Sequence, residues 1–365
     1  YFVSGLWLNF RPKEMLGFNF YIDGYVQGQN LNRNNYSVGD LREFYIDRSI
    51  GWFDMRIGRQ IISWGRADKI NPTDVWSLSN LNLLVSDDED QKTGLLTSQF
   101  AFNFSNIKII TLLQSEWRSP GFPVTSLPAG ITISHLNPDT SQSQYGLKVD
   151  YSGGSFDGSL SYSHVIDKTP DLSVVSMNAG VQLGFLYSMV DVYGFDFAKT
   201  IGQYGIRSEC AYTKTLDISG TNGLIKNSNT YCVFGGDRTF DTFNFNIQII
   251  YKRVDNFQNV ARISDPNLQY LAIQENIISN QITEETNGLS LRISDKGFND
   301  KLESELTVVS WWKYGDCLVR PKLKYSFSDS FRGAIGAESY AGPSVSYFGR
   351  LKDISRVFLE TRYLF

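Results

Sequence analysis

No run of about 18 consecutive apolar residues occurs anywhere in the chain, which excludes a membrane-spanning helix. Histidine, cysteine and methionine are scarce, at 2, 3 and 4 of 365 residues. Two histidines cannot build a His-rich metal cluster. The cysteines Cys210, Cys232 and Cys317 are far apart and form no CxxC, so neither a disulfide framework nor a thiolate metal site is expected. Cys210 and Cys232 fall on strands expected to be neighbours, which leaves one bridge open. Free, packed cysteines are the expected state. Positive charge is not in excess: the net charge is −4 and the pI about 5.4, which argues against a nucleic-acid partner. There is no Walker loop, no Rossmann fingerprint and no G-x-S-x-G. Ser134 and His135 are merely adjacent in sequence. No enzyme and no cofactor are expected. No secretory signal precedes the strand-like sequence at Tyr1, so the chain reads as processed or trimmed.

What the chain has is alternation and aromatics. Phe, Tyr and Trp number 25, 20 and 7, and period-two patterning recurs from end to end. Over 16–28, Leu16, Phe18, Phe20, Ile22 and Val26 alternate with Asn19, Tyr21, Asp23, Tyr25 and Gln27. Over 242–253, Phe243, Phe245, Ile247, Ile249 and Tyr251 alternate with Asn244, Asn246, Gln248 and Lys252. Over 315–327, Cys317, Val319, Pro321, Leu323 and Tyr325 alternate with Leu318, Arg320, Lys322 and Lys324. Such segments run roughly 9 to 13 residues, the length of a tilted strand crossing hydrocarbon. No sustained helical period with caps is evident.

A soluble sandwich or propeller also alternates. Three features favour a membrane barrel instead. Aromatics gather near strand ends, the polar faces carry full charges that a packed core would not tolerate, and tight connections alternate with long ones. The tight ones include 49–51, 105–106, 153–154, 200–203, 240–241 and 328–329. The long ones lie near 29–38, 64–92, 118–141, 166–186, 215–227, 254–284 and 339–353. The expected fold is an all-β, transmembrane, antiparallel up-and-down barrel of about 16–18 strands, with short periplasmic turns and long extracellular loops. It fills residues 1–365 as one domain in a bacterial outer membrane. Counting back from the last strand predicts about 17 strands, with a further ascending strand expected ahead of Tyr1. The stretch 166–186 is where a miscount would hide.

At the C-terminus Val357, Leu359, Thr361, Tyr363 and Phe365 share one face. This resembles the terminal strand signal of outer-membrane barrels, with Tyr363 and Phe365 as the part that the barrel assembly machinery would read. Lipid and that machinery are the implied partners.

Residues 41–74 read LREFYIDRSIGWFDMRIGRQIISWGRADKINPTD. Gly58-Arg59-Gln60, Trp64-Gly65, Asp68 and Asn71-Pro72-x-Asp74 in this stretch resemble a poorly characterised family of porin-like barrels, similar in plan to the alginate-export type. The resemblance implies an outer-membrane channel or transporter, of a kind suspected of moving hydrophobic or acidic molecules. It names no substrate. Physically, Asp54 and Arg56 fall on a polar face. A bulge at Gly58 is expected to turn Arg59 inward beside Gln60. Asn71-Pro72 with Asp74 signals a turn. Trp64, Asp68 and Asp74 either line a lumenal constriction or latch the loop to the barrel wall, and the latch is favoured.

In the last third, Arg292, Arg320, Lys322, Lys324, Arg332, Arg356 and Arg362 fall on polar faces together with Glu303, Glu305, Glu338 and Glu360. They form either a basic ladder for anionic solutes or a set of cross-strand ion pairs. Pairing is favoured, and 315–327 is the best local candidate for an anion contact. Asp87, Asp88, Glu89 and Asp90 are expected in a solvated external loop, since their spacing is not that of a calcium loop. The function expected is a channel for small solutes, selective through its lumenal charges and the inward loop 64–92. The alternatives are a sheath or anchor for a lipoprotein or electron carrier, and the outer-membrane part of an export system.

Overall fold

The computed structural model describes residues 2–31, 34–80, 83, 85, 87–120, 131–138, 142–176 and 181–363. Its main sheet has 17 strands, each pairing antiparallel with the next. These are β1 (Phe2–Phe10), β2 (Asn19–Leu31), β3 (Asn34–Ile50), β4 (Phe53–Gln60), β5 (Leu95–Phe104), β6 (Ile107–Gln114), β7 (Gln144–Ser152), β8 (Asp157–Ile166) and β9 (Met189–Ile201). There follow β10 (Tyr204–Lys214), β11 (Asn229–Phe240), β12 (Phe243–Val254), β13 (Glu285–Gly297), β14 (Leu302–Trp311), β15 (Asp316–Ser326), β16 (Phe331–Ala341) and β17 (Arg356–Tyr363). Sequential antiparallel pairing leaves an up-and-down barrel as the architecture.

Burial is inverted relative to a soluble protein. Val26, Phe44, Leu113, Leu160, Phe234, Ile249, Leu323 and Leu359 are exposed, Leu359 by 78%, while Gln27, Gln60, Thr97, Gln114, Ser163, Glu209, Gln248 and Lys322 are buried. Each apolar residue sits on the side chain period opposite its polar neighbours. Apolar exposure on this scale is stable only against lipid, and polar groups turned inward require a wet, hydrogen-bonded lumen. Tyr363 ends β17 on the outer face, and Phe365 lies outside the described residues.

One end of the barrel carries the short connections, at 51–52, 105–106, 202–203 and 241–242. The other carries the segments 61–94, 115–143, 167–188, 215–228, 255–284 and 342–355. One expected feature of that end is corrected. The long loop at 29–38 is mostly strand, because β2 and β3 stay paired out to Leu31 and Asn34. β14 and β15 are joined by only 312–315. Within 166–186 the strands Asp171–Ser176 and Val181–Leu186 join Ile131–His135 in a separate small sheet, so they do not alter the barrel count.

Two further expectations fail. A helix, α1 (Pro266–Ile278), lies in the loop 255–284. Its start is capped: the Asp265 side chain accepts from Asn267 N and Leu268 N, and Pro266 occupies the first turn. The helix is too short, and its apolar residues too evenly spread, for periodicity to reveal it. Cys210 and Cys232 form a disulfide rather than standing free. They are directly opposite in the β10–β11 register, with Cα atoms 4.1 Å apart, within reach of a bridge. Cys317 is free.

Candidate functional site

The segment 61–94, between β4 and β5, does not stand out into solvent. It turns into the barrel and crosses the lumen, held by one set of contacts on the β6–β10 wall and a different set on the β13–β17 wall.

The first anchor is apolar. Trp64 and Trp76 pack edge to face, 5.7 Å between ring centroids, and are buried with Ile62 against Leu112, Val165, Val190, Val192 and Ala211 of the inner wall. Trp76 Nε1 donates to Ser163 Oγ at 3.0 Å, and Gly146 leaves the space its ring occupies. Trp64 is thus buried between the loop and the wall. The second anchor is a single carboxylate. Glu209, fully buried, accepts from Arg66 N and Ala67 N at 3.0 Å, and from Thr73 N and Thr73 Oγ1 at 2.8 Å. Gly65, at φ +101°, brings the backbone against Glu209 where a side chain would collide. The Arg66 guanidinium forks between Asp150 and Asp196.

On the far side the loop is acidic and the wall basic. Asp68 meets Arg292 at 3.2 Å. Asp87 meets Lys322 at 2.9 Å and Lys324 at 3.6 Å. Asp88 pairs with Arg320, and also with Lys69 of its own loop at 2.7 Å. Asp90 meets Arg362 at 2.6 Å. The expectation of a solvated external loop is therefore corrected for Asp87, Asp88 and Asp90, whose carboxylates are drawn into the lumen by the complementary charge of the wall, while Glu89 stays exposed and meets Lys92 of its own loop at 3.2 Å. Burial pushes the Asp88 carboxyl up, but the charges of Lys69 and Arg320 outweigh it and hold the group well below the ordinary carboxylate range. Asp87 follows the same logic, with burial overcome by Lys322 and Lys324.

The wall pairs its own charges as well, as the alternation of signs implied. Arg292 meets Glu305 at 2.8 Å, Arg320 meets Glu338 at 3.2 Å, and Arg356 meets Glu338 at 2.6 Å. Lys322 also reaches Glu305 at 3.6 Å. Arg332, opposite Arg362 in register, forms no ion pair among the described residues. The ladder anticipated from sequence is real as a constellation, and the loop's own carboxylates occupy it.

The residues around β4 divide. Asp54 faces the lumen toward the short-turn end, held by Asn103 at 2.8 Å and Lys108 at 3.3 Å. Arg56 pairs with Asp47 at 3.4 Å and lies over the Tyr45 ring. Gln60 points inward, buried, and donates to Thr97 O at 2.8 Å. Asp74 is buried, its carboxyl raised by that burial against the hydrogen bonds of Ser77 and the charge of Lys92, so it belongs to the latch. Its amide donates to Asn71 O at 3.1 Å, closing the turn that Asn71-Pro72 signalled.

Arg59 is a correction. β4 runs in unbroken register through Gly58, and Arg59 stands opposite Phe44 and Leu96, both outward-facing. It pairs there with Glu116 at 2.5 Å. The bulge lies across the ladder, where Arg42 of β3 is the extra residue between the pairs Asp23–Glu43 and Gly24–Leu41. The bulge aims Arg42 at the loop. It donates to Glu89 O at 2.8 Å and Lys92 O at 2.9 Å, tying down the segment that carries the acidic run. Sequence reasoning missed both Arg42 and Glu209. Glu209 keeps the alternation of its strand and so carries no local mark, whereas Arg42 sits where the outward positions slip from Leu41 to Phe44, a signal that was available. The partners of each lie in a distant part of the chain.

The chain's fold is similar to several solved outer-membrane channels. It matches OccK8 (OprE) of Pseudomonas aeruginosa with a TM-score of 0.55 at 10% identity, covering 93% of this chain and 88% of that one. It matches OccAB1 of Acinetobacter baumannii at 0.52 and 9% identity, covering 94% and 85%. It matches P. aeruginosa OccK2 (OpdF), solved in complex with glucuronate, at 0.52 and 9% identity, covering 100% and 92%. At these identities the likeness establishes the fold alone. The comparison with curated proteins finds no match. With its outer-membrane porin-like barrel, and with residues 12–351 matched by the family model, the chain belongs to the family described as protein of unknown function, DUF1302.

Proposed function

We propose that this protein is a channel for the diffusion of small solutes across the outer membrane, with the segment 61–94 as its selectivity element. The observation that carries the reading is the span of that segment from Glu209 on one wall to Lys322 and Arg362 on the other. Such a crossing narrows a polar lumen without plugging it with a separate domain. It also places charges of both signs on the solute's route. Selectivity then rests on the basic face of β13–β17 and on how firmly the loop's carboxylates occupy it. Small anionic solutes are the class that competes for those contacts. The glucuronate bound by OccK2 is an acid of that kind and is consistent with the reading. A sheath for a partner protein is less well supported, because the chain's own loop takes up the lumen.

The test is single-channel recording in a planar bilayer. The whole chain is expected to conduct in potassium chloride, and removal of residues 66–90 is expected to raise the conductance. A correctly inserted barrel that stays silent with and without those residues overturns the channel reading.

A further inference from the structure

Above the constriction, at the long-loop end, lies a cavity of about 410 Å³ whose walls come from the barrel, from Ile70 of the constriction loop, and from the segments around Ser279 and Tyr347. That volume falls within the ~300–1,000 Å³ of sites that bury small organic ligands. Its chemistry differs from that of the ladder. One side is aromatic and apolar: Tyr231, Trp311, Tyr347 and Phe348, with Val309 and Ile70. Tyr231 and Trp311 stand 6.4 Å apart at their ring centroids.

One charged group in this lining lacks a counter-charge. Lys252, 8% exposed, lies with its ammonium 5.8 Å from the centre of the Tyr231 ring and donates to Ser279 O at 2.9 Å. It forms no ion pair among the described residues. The acid sharing the cavity, Asp167, is engaged by Lys226 at 3.4 Å. A buried ammonium without a counter-charge is costly unless something anionic completes it. Trp311 is 5% exposed and offers the cavity its ring, since its Nε1 is itself fully buried.

We propose that this cavity is a binding site for a monoanionic ring carboxylate, with the carboxylate on Lys252 and the ring against Tyr231, Trp311, Tyr347 and Phe348. The carboxylate supplies the counter-charge that the lining lacks, and a flat ring matches the aromatic walls. A simple inorganic anion would satisfy Lys252 but leave the apolar side unfilled. A neutral ring would do the reverse. The site's role as the first stop of a permeating solute rests on the channel reading. Its existence does not.

The experiment uses the whole chain in detergent micelles, with 2-naphthoate as the probe followed by isothermal titration calorimetry. Acetate and 2-naphthalenemethanol serve as the charge-only and ring-only controls. 2-Naphthoate is expected to bind at least tenfold more tightly than either control. Lys252→Met is expected to weaken it at least tenfold, Trp311→Phe to weaken it severalfold, and Lys252→Arg to retain most of the affinity. Heat-modifiable migration in gels checks that each variant is folded. Should Lys252→Met fail that check, Trp311→Phe and the two controls still decide the matter. Equal binding of 2-naphthoate and its alcohol, or binding indifferent to both substitutions, overturns the proposal. A chain that conducts but does not bind 2-naphthoate removes this site and leaves the channel. A chain that binds it without conducting removes the channel and leaves this site.

Discussion

Lys322 of β15 and Asp87 of the constriction loop are 235 residues apart in the chain and meet at 2.9 Å inside the lumen. The contact is one of a row, with Asp88 on Arg320 and Asp90 on Arg362, by which the loop's acidic tip covers the basic wall. The opposite wall treats the loop in the mirrored sense, since Arg66 is held there by Asp150 and Asp196. The loop is therefore charge-complementary to both sides of the barrel.

Neutralising the tip should expose the ladder. The triple substitution Asp87→Asn, Asp88→Asn and Asp90→Asn is expected to increase single-channel conductance on the order of twofold and to shift the reversal potential toward chloride. Unchanged conductance and selectivity in a folded barrel would mean that the tip does not govern the pore.

Acid should release the same contact late. Asp87 and Asp88 are held below their ordinary value of 3.8, because their cationic partners outweigh burial. A carboxyl depressed in the folded state contributes stability that is complete above its unfolded value and is lost as pH falls through the folded one. Conductance is thus expected to stay flat from neutral pH down to 3.8 and to rise only below it. A rise beginning near pH 6 would assign control to other groups.

Glu209 should matter more to the loop than to the barrel. Glu209→Ala leaves three backbone amides and the Thr73 hydroxyl without their acceptor. An orphaned buried donor costs about 1–3 kcal/mol, so local opening of 66–73 is expected to become easier by a few kcal/mol, with amide exchange on the order of 100-fold faster. Exchange in β9–β11 should be little altered. Uniform acceleration across those strands would point to a role for Glu209 in the wall itself.

A second pH response is built into the external loops. Glu275 of α1 is buried and accepts from Leu172 N at 2.8 Å. That burial, reinforced by the charge of Asp171, pushes its carboxyl up to about 8. An acid raised on folding binds its proton more tightly in the folded state, so its stabilising effect is complete below the ordinary value of 4.5 and declines as pH rises through about 8. Intrinsic-rate-corrected exchange in α1 is expected to show weakening protection across that window, and Glu275→Gln is expected to flatten the profile. Protection that grows with pH would contradict the sign.

The barrel was legible because each strand states its own inside and outside. Phe243 to Tyr251 and Arg320 to Lys324 alternate for lipid and water whatever their neighbours are, so strand positions, short turns and the polar lumen could be read locally. The turn at Asn71 is equally local, whereas α1 carries no helical period in its apolar residues. What could not be read is which charge meets which. Asp87 looks like any solvated loop acid until closure of the wall brings Lys322 opposite it. Arg42 takes the inward, bulged place expected of Arg59, because a bulge depends on the register of two strands and not on the glycine in one. Cys210 and Cys232 pair for the same reason. A lipid-facing barrel with a polar lumen follows from the residues read in order, since side-chain period is a property of consecutive residues. The course of the loop across the lumen, and the charges it meets there, emerge only on folding, because they depend on walls that come together from residues hundreds of positions apart.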